Sequence, residues 1–215
     1  MRFFPTFGTM YLVKSPPLLH FFYPSLTWHM PRSEKVVYLS FDDGPIPDVT
    51  DFVLKTLNSF STKATFFCIG DNILKYPQIF ESIKNDGHGI GNHTFNHLKG
   101  WDTSDDVYFQ NFQKCQGQTD TNLFRPPYGR IKKSQIAQIK SSYPAMEIIM
   151  WDTLSGDFDT KLSPERCLTN VIKYTRNGSI IVFHDSLKAF DRLYYTLPKV
   201  LEHFSQLGYR FEQLG

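Results

Sequence analysis

The chain has 215 residues, 41% of them hydrophobic, which is enough to bury one sizeable core within the size range of a single domain. Its 23 basic and 21 acidic side chains leave a formal charge of +2 without a long run of either sign, so nucleic acid is excluded as an expected partner. Cys68, Cys115 and Cys167 are odd in number and widely scattered, which excludes a zinc ribbon or a disulfide framework and leaves reduced structural thiols.

Residues 1–34 are rich in Phe, Tyr, Trp and Pro, with Phe21, Phe22, Tyr23 and Trp28 gathered shortly before the first strand. This segment reads as an N-terminal arm packed on a single domain formed by residues 35–215. Lys14 is the only Lys or Arg between Phe3 and Trp28, which weighs against a membrane-surface helix. Pro5 and Gly8 interrupt the apolar stretch that follows Arg2 before it reaches signal-peptide length, and no window is long enough to span a bilayer. The default expectation is therefore a cytoplasmic protein with no integral membrane segment and no evident protein partner, association with the cell envelope being left open.

From Val36 onward one phrase recurs: a short β-branched or aromatic run, polar punctuation, then an amphipathic helical stretch. Strands are expected at Val36–Phe41, Ala64–Ile69, His88–Gly91, Asn122–Arg125, Glu147–Trp151, Ile180–His184 and Tyr209–Leu214. Pro77 and Gly87 bracket one helix, and Ser163 before Pro164 starts another. Leu197, Val200, Leu201, Phe204 and Leu207 share one face before Gly208. Alternation of this regularity fits either a (β/α) barrel or a doubly wound open sheet, and both put chemistry at the C-terminal ends of the strands.

The residues at those ends are suited to chemistry. Asp42 and Asp43 lie side by side where the first apolar strand meets Gly44-Pro45; alone, the pair reads as a turn. His93 and His97 follow the third strand four residues apart, on one face if the segment is helical. Two His and one Asp from a neighbouring strand end make a three-ligand metal site with positions left for water and substrate. Arg125-Pro126-Pro127-Tyr128-Gly129, the stretch from Trp151 to Phe158, and Ile180–Asp185 put further polar groups at three more strand ends. Each has an ordinary structural reading, but polar groups at the ends of five candidate strands are hard to explain that way.

Taken together and in order, these segments resemble the polysaccharide deacetylases of carbohydrate esterase family four, which share a homology domain with nodulation chitooligosaccharide deacetylases. The resemblance runs from about Val36 to Leu214 and rests on Ser40-Phe41-Asp42-Asp43-Gly44, His93-Thr94-Phe95-Asn96-His97, Arg125-Pro126-Pro127-Tyr128 and the strand ending in His184. It implies an incomplete (β/α)7 barrel. It implies Asp42 as general base, Asp43, His93 and His97 as metal ligands, and Arg125 as the residue that orients and charge-balances Asp42. The backbone amide of Tyr128 would face the developing oxyanion, His184 would be the general acid, and Asp157 its partner. The cofactor so implied is a divalent ion, zinc first, with cobalt or another ion as alternatives. The implied activity is hydrolysis of N-acetyl groups on N-acetylglucosamine-containing glycans such as peptidoglycan or chitin.

One motif departs from the family pattern, because Leu154 stands where an Asp is usual and Phe158 where a Trp is usual. That leaves O-deacetylation of a polymer such as xylan, or a decayed carbohydrate-binding protein, as rival readings. A non-haem iron oxygenase would also use two His and a carboxylate, but it gives no reason for a second Asp or for the distant His184.

Overall fold

The computed structural model describes residues 11–215, so the beginning of the predicted arm lies outside the described residues. After a short helix α1 (Pro17–Phe22) in the arm come β1 (Val36–Asp42), α2 (Val49–Ser59), β2 (Thr65–Cys68), α3 (Gly70–Lys75), α4 (Pro77–Asn85) and β3 (Gly89–Asn92). The chain continues with α5 (Asp105–Thr119), β4 (Leu123–Phe124), α6 (Lys133–Ser142), β5 (Glu147–Ile148) and β6 (Thr153–Leu154). It ends with α7 (Pro164–Tyr174), β7 (Ile180–His184), α8 (Phe190–Gln206) and β8 (Arg210–Glu212). Ser163 caps α7 by accepting from the Arg166 amide at 3.3 Å, and Pro77 opens α4.

Among the described residues eight strands form one sheet in the order β5-β4-β3-β2-β1-β7-β6, with β8 beside the first half of β1, and each of their ladders is parallel. Side chains alternate along β1. Val37, Leu39 and Phe41 face outward into a core shared with Val53 and Leu57 of α2 and Leu197 and Leu201 of α8. Tyr38 faces inward, as does Val36, into a second cluster with Phe67, Leu123, Ile180 and Leu214. β4 and β7 are four places apart in the strand order, about 19 Å in a flat sheet at the usual spacing. Leu123 and Ile180 can share a cluster only because the sheet curls, so the fold is an incomplete β/α barrel and not an open sheet.

Two local differences from the sequence expectation have a common cause. β6 is a two-residue strand, too short to show a period, and it sits inside what reads as a polar loop. The strand expected at Glu147–Trp151 pairs with β4 only over Glu147 and Ile148. The Ile149 amide still donates to Phe124 O at 2.8 Å, and beyond it the arm takes over: Thr27 bridges Ile149 and exchanges hydrogen bonds with Ile148 O and Met150 N at 2.9 and 2.7 Å. Further along the same seam Lys14 bridges Thr153 and His29 bridges Ser179, both antiparallel. Among the described residues no ladder joins β5 to β6; the arm occupies that gap.

Candidate active site

The chemistry-bearing side chains meet at the C-terminal rim. β1 delivers Asp42 and, in the next residue, Asp43, which adopts a left-handed backbone at φ 87°. The segment carrying His93 and His97 is not helical, contrary to one reading of the four-residue spacing. Thr94 and His97 take left-handed backbones at φ 62° and 56°, and the turn is held by Asn111 of α5, whose Oδ1 accepts from the Phe95 and Asn96 amides at 2.8 and 2.9 Å. Tyr128 is left-handed as well, at φ 59°. Non-glycine residues in this region cost roughly 1–3 kcal/mol each, and their concentration here marks a rim whose geometry is imposed by its surroundings.

Asp43, His93 and His97 each direct one donor atom to a common point, all three atoms lying within 4.8 Å of one another. His97 Nε2 is 3.3 Å and His93 Nε2 3.9 Å from Asp43 Oδ1. His93 Nδ1 lies 2.7 Å from the Arg125 carbonyl. A carbonyl only accepts, so Nδ1 carries the proton and Nε2 presents its lone pair to the site. Burial pushes His93 below the usual imidazole range, and burial with His93 beside it takes His97 down to about 4, so both are neutral near pH 7. Asp43 Oδ1 is buried yet has no hydrogen-bond partner among the described residues. Two imidazole nitrogens and an orphaned carboxylate oxygen fit a divalent metal ion.

Asp42 lies beside this triad in a different environment. Arg125, fully buried, crosses the barrel interior from the end of β4 to place Nη1 2.7 Å from Asp42 Oδ1 and 2.8 Å from Ser40 Oγ. Its Nε and Nη2 donate to the Ile149 and Met150 carbonyls at 3.3 and 3.2 Å, and its plane sits 4.0 Å over Phe67. Burial raises the Asp42 carboxyl, but Arg125, His93 and His184 outweigh it and hold the group below the ordinary carboxylate range. Asp42 is therefore an anion poised beside the triad.

His184, at the end of β7, is bound by Asp157 through both oxygens: Oδ1 is 2.8 Å from Nδ1, and Oδ2 accepts from the His184 amide at 2.7 Å. Asp157 is itself fully buried, and its carbonyl accepts from Arg192 Nε at 2.6 Å. Burial alone would lower the imidazole, but Asp157, then Asp43 and Asp42, raise it to about 9. The rim thus holds a carboxylate kept ionised and an imidazolium kept protonated. The side chains of Asp43, His97 and His184 remain 20%, 24% and 16% exposed, so a reactant can reach all three.

The ring centres of Tyr128 and His97 are 4.5 Å apart, and those of Phe158 and His184 are 5.0 Å apart in a T-shaped arrangement. Leu154 is buried in β6 opposite Val182, and its amide donates to the Val13 carbonyl of the arm at 2.7 Å.

Sequence reasoning overlooked Asp185. This fully buried carboxyl group, pushed up to about 8 by burial, accepts from the Gly44 amide at 2.9 Å and the Thr50 hydroxyl at 2.6 Å, fixing the loop that carries Asp43. A Cβ at position 44 would sit 1.9 Å from Asp185 Oδ2, so glycine is required there. The available signal was an acidic residue directly after an apolar strand that ends in histidine. Ser40, two residues before Asp42 on the same inward face of β1, shares Arg125 Nη1 with it.

Comparison with known proteins gives the family. The family model for polysaccharide deacetylase matches residues 29–144. A peptidoglycan-N-acetylglucosamine deacetylase of Bacillus cereus is 30% identical over 197 residues, covering 86% of this chain and 89% of that protein. A chitooligosaccharide deacetylase of Azorhizobium caulinodans is 34% identical over 161 residues, covering 72% and 75%. The crystal structure of a peptidoglycan N-acetylglucosamine deacetylase in complex with 4-naphthalen-1-yl-N-oxidanyl-benzamide is similar at a TM-score of 0.83 and 28% identity, over 88% of this chain and 91% of that one. With more than half of its length matched by the family model and most of it aligned to a 30% identical relative, the chain belongs to the polysaccharide deacetylase family.

Proposed function

We propose that the protein removes N-acetyl groups from N-acetylglucosamine-containing glycans, peptidoglycan-like or chitin-like, and releases acetate. The observation that carries this reading is the opposed pair beside one metal-fit triad, an ionised Asp42 and a protonated His184. In this proposal Asp43, His93 and His97 hold a divalent ion, zinc in the first instance. Such an ion, when bound, supplies acidification of water and polarisation of a carbonyl.

The remaining work belongs to the chain. Asp42, kept anionic by Arg125, accepts the proton of the attacking water. The Tyr128 amide faces the oxygen of the acetyl carbonyl as charge builds there. His184, kept protonated by Asp157, gives its proton to the departing amine, which an amide needs because its nitrogen is a poor leaving group. The same proposal divides the chain into an arm over residues 1–34 and a catalytic domain over residues 35–215, and the arm's backbone pairing at the seam supports treating it as part of the barrel wall.

The test is acetate release from N-acetylglucosamine oligomers, peptidoglycan and acetylated xylan, with defined metals added to chelated protein. N-acetyl glycans should yield acetate only in metal-replete protein. Acetate from xylan alone, or none from any substrate, would overturn the reading.

A further inference from the structure

The helix of the arm has its polarity reversed. In α1 the one polar side chain, His20, turns to the protein: its Nε2 lies 2.9 Å from Ser15 Oγ, and its ring stacks on that of the buried Trp28 with centres 4.9 Å apart. The apolar side chains face water instead. No residue of α1 is buried, and Leu18, Phe21 and Phe22 are 63%, 77% and 55% exposed. A surface helix ordinarily lays its apolar stripe on the core and turns its polar groups outward. Here folding leaves in water the very area whose burial would stabilise it. The helix is nevertheless anchored on both sides. The Ser15 amide donates to the Asp152 carbonyl at 3.3 Å, and Leu26 and Trp28 share a buried cluster with Ile136 and Ile139 of α6.

A contiguous exposed apolar patch marks a surface that meets protein or lipid, and the charge around it decides which. The arm alone is weakly charged, Lys14 being its only Lys or Arg between Phe3 and Trp28, but folding sets α6 beside it. Lys133, Ile136, Ala137 and Lys140 form one stripe of α6, and with Phe22 and Tyr23 they line a groove of about 260 Å³. Lys133 Nζ is 5.5 Å from the centre of the Tyr23 ring. Lys132 is paired with Asp105 of α5 at 3.6 Å; among the described residues Lys133 and Lys140 meet no carboxylate, Lys140 donating to the Met146 carbonyl instead. The sequence keeps this side of the molecule free of acids. Residues 1–33 and 121–146 hold eight of the chain's 23 Lys and Arg and none of its 21 Asp and Glu.

We propose that α1 and the Lys133–Lys140 stripe of α6 form a docking surface for an anionic lipid bilayer. Leu18, Phe21 and Phe22 enter the boundary between headgroups and acyl chains, and the two lysines meet lipid phosphates. Apolar and aromatic side chains flanked by lysine are the chemistry of interfacial binding. With six residues α1 lies on the bilayer and does not cross it. A second copy of the chain suits this face poorly, because a two-fold contact would set lysines against lysines.

The experiment sediments the full chain with vesicles of phosphatidylcholine alone and of an equal mixture with phosphatidylglycerol. Wild type is compared with Phe21→Ser/Phe22→Ser and Lys133→Gln/Lys140→Gln. Sedimentation velocity without lipid gives the oligomeric state, and thermal melting shows that each variant is folded. Wild type should bind the mixed vesicles, and more weakly as salt rises from about 0.1 M to about 1 M and the screening length falls from about 10 Å to about 3 Å. The lysine pair should cost about 10-fold or more in partitioning onto mixed vesicles, at about fivefold for each charge. The phenylalanine pair should cost at least about 10-fold, and both variants should melt as wild type does. Wild type that stays in the supernatant overturns the proposal, as does equal binding to both kinds of vesicle. Unchanged partitioning in either variant overturns it too. A lipid-free dimer that Phe21→Ser/Phe22→Ser dissociates would assign the face to a second copy and overturn it likewise.

Discussion

Replacing Asp42 by asparagine should cost stability as well as catalysis. Asp42 is 4% exposed, and its partner Arg125 is fully buried. Asparagine keeps the shape and an acceptor oxygen, and Ser40 Oγ, Ile149 O and Met150 O still accept from the guanidinium, so no donor is stranded. What disappears is the charge that balances Arg125. Breaking a buried ion pair from one side costs about 3–5 kcal/mol, and the surviving acceptors put this case near the lower end. For a domain of this length 1 kcal/mol moves Tm by roughly 2–4 °C, so the variant should melt about 6–12 °C below wild type. Removing both members in Asp42→Asn/Arg125→Met should restore much of that loss. Calorimetric melting of zinc-free and zinc-loaded protein gives the stability half, and acetate release the catalytic half. Turnover should fall about 10²-fold or more in both variants, with zinc retained. A single variant that melts within about 2 °C of wild type, or a double variant less stable than the single, would refute the view that Asp42 neutralises Arg125.

Asp43→Asn should behave differently from its neighbour: elemental analysis should show zinc lost, and activity should return partly as zinc is titrated in, which no amount of metal does for Asp42→Asn. Asp157→Asn removes the charge that holds the His184 proton, so the alkaline limb of the pH profile of kcat/KM, near 9 in wild type, should move down toward the ordinary imidazole value of 6.5. The sign follows from His184 acting as an acid, which loses function as pH rises through its pKa; a limb that stays in place would remove Asp157 from that role. Thr50→Val deletes one of the two donors to Asp185, a cost of about 1–3 kcal/mol for an unsatisfied buried group, and should weaken zinc binding by loosening the Asp43 loop; calorimetric zinc titration checks it.

The site was legible in sequence to the extent that each residue depends on its own strand. Asp42, His93, Arg125 and His184 sit at or just past the ends of β1, β3, β4 and β7, and a parallel β/α fold brings such ends to one rim whatever the loops do. Contacts made by residues distant in the chain left no comparable trace. Asn111 shapes the His93–His97 turn from the middle of α5, where an asparagine reads as an ordinary polar helix residue. Four-residue spacing puts the two imidazoles on one face only if the segment is helical, but chelation needs only that they converge, and left-handed Thr94 and His97 achieve it without a helix. Asp185 was hidden because its partners, Gly44 and Thr50, are backbone and hydroxyl donors and not charges.

The arm was the least legible part for a related reason. Leu26 and Trp28 pack into the barrel wall and Arg32 pairs with Asp152 at 2.8 Å, but the seam itself is closed by backbone hydrogen bonds, Thr27 to Ile148 and Met150, Met30 to Gly178, and Val13 to Leu154, and a backbone donor carries no residue identity. That bears on the departing fourth motif. Leu154 is held through its amide and its buried position in β6, so an apolar side chain suits it. Phe158 lies T-shaped against His184 with ring centres 5.0 Å apart and is backed by Tyr11 of the arm with ring centres 4.9 Å apart, the Tyr11 hydroxyl donating to Asp159 at 3.3 Å. The packing against His184 that an aromatic residue provides is therefore retained; a tryptophan would differ there by its larger ring and its N–H donor. The departures thus change what the loop can offer a glycan, and leave in place the Asp157–His184 pair on which the proposed proton transfer depends.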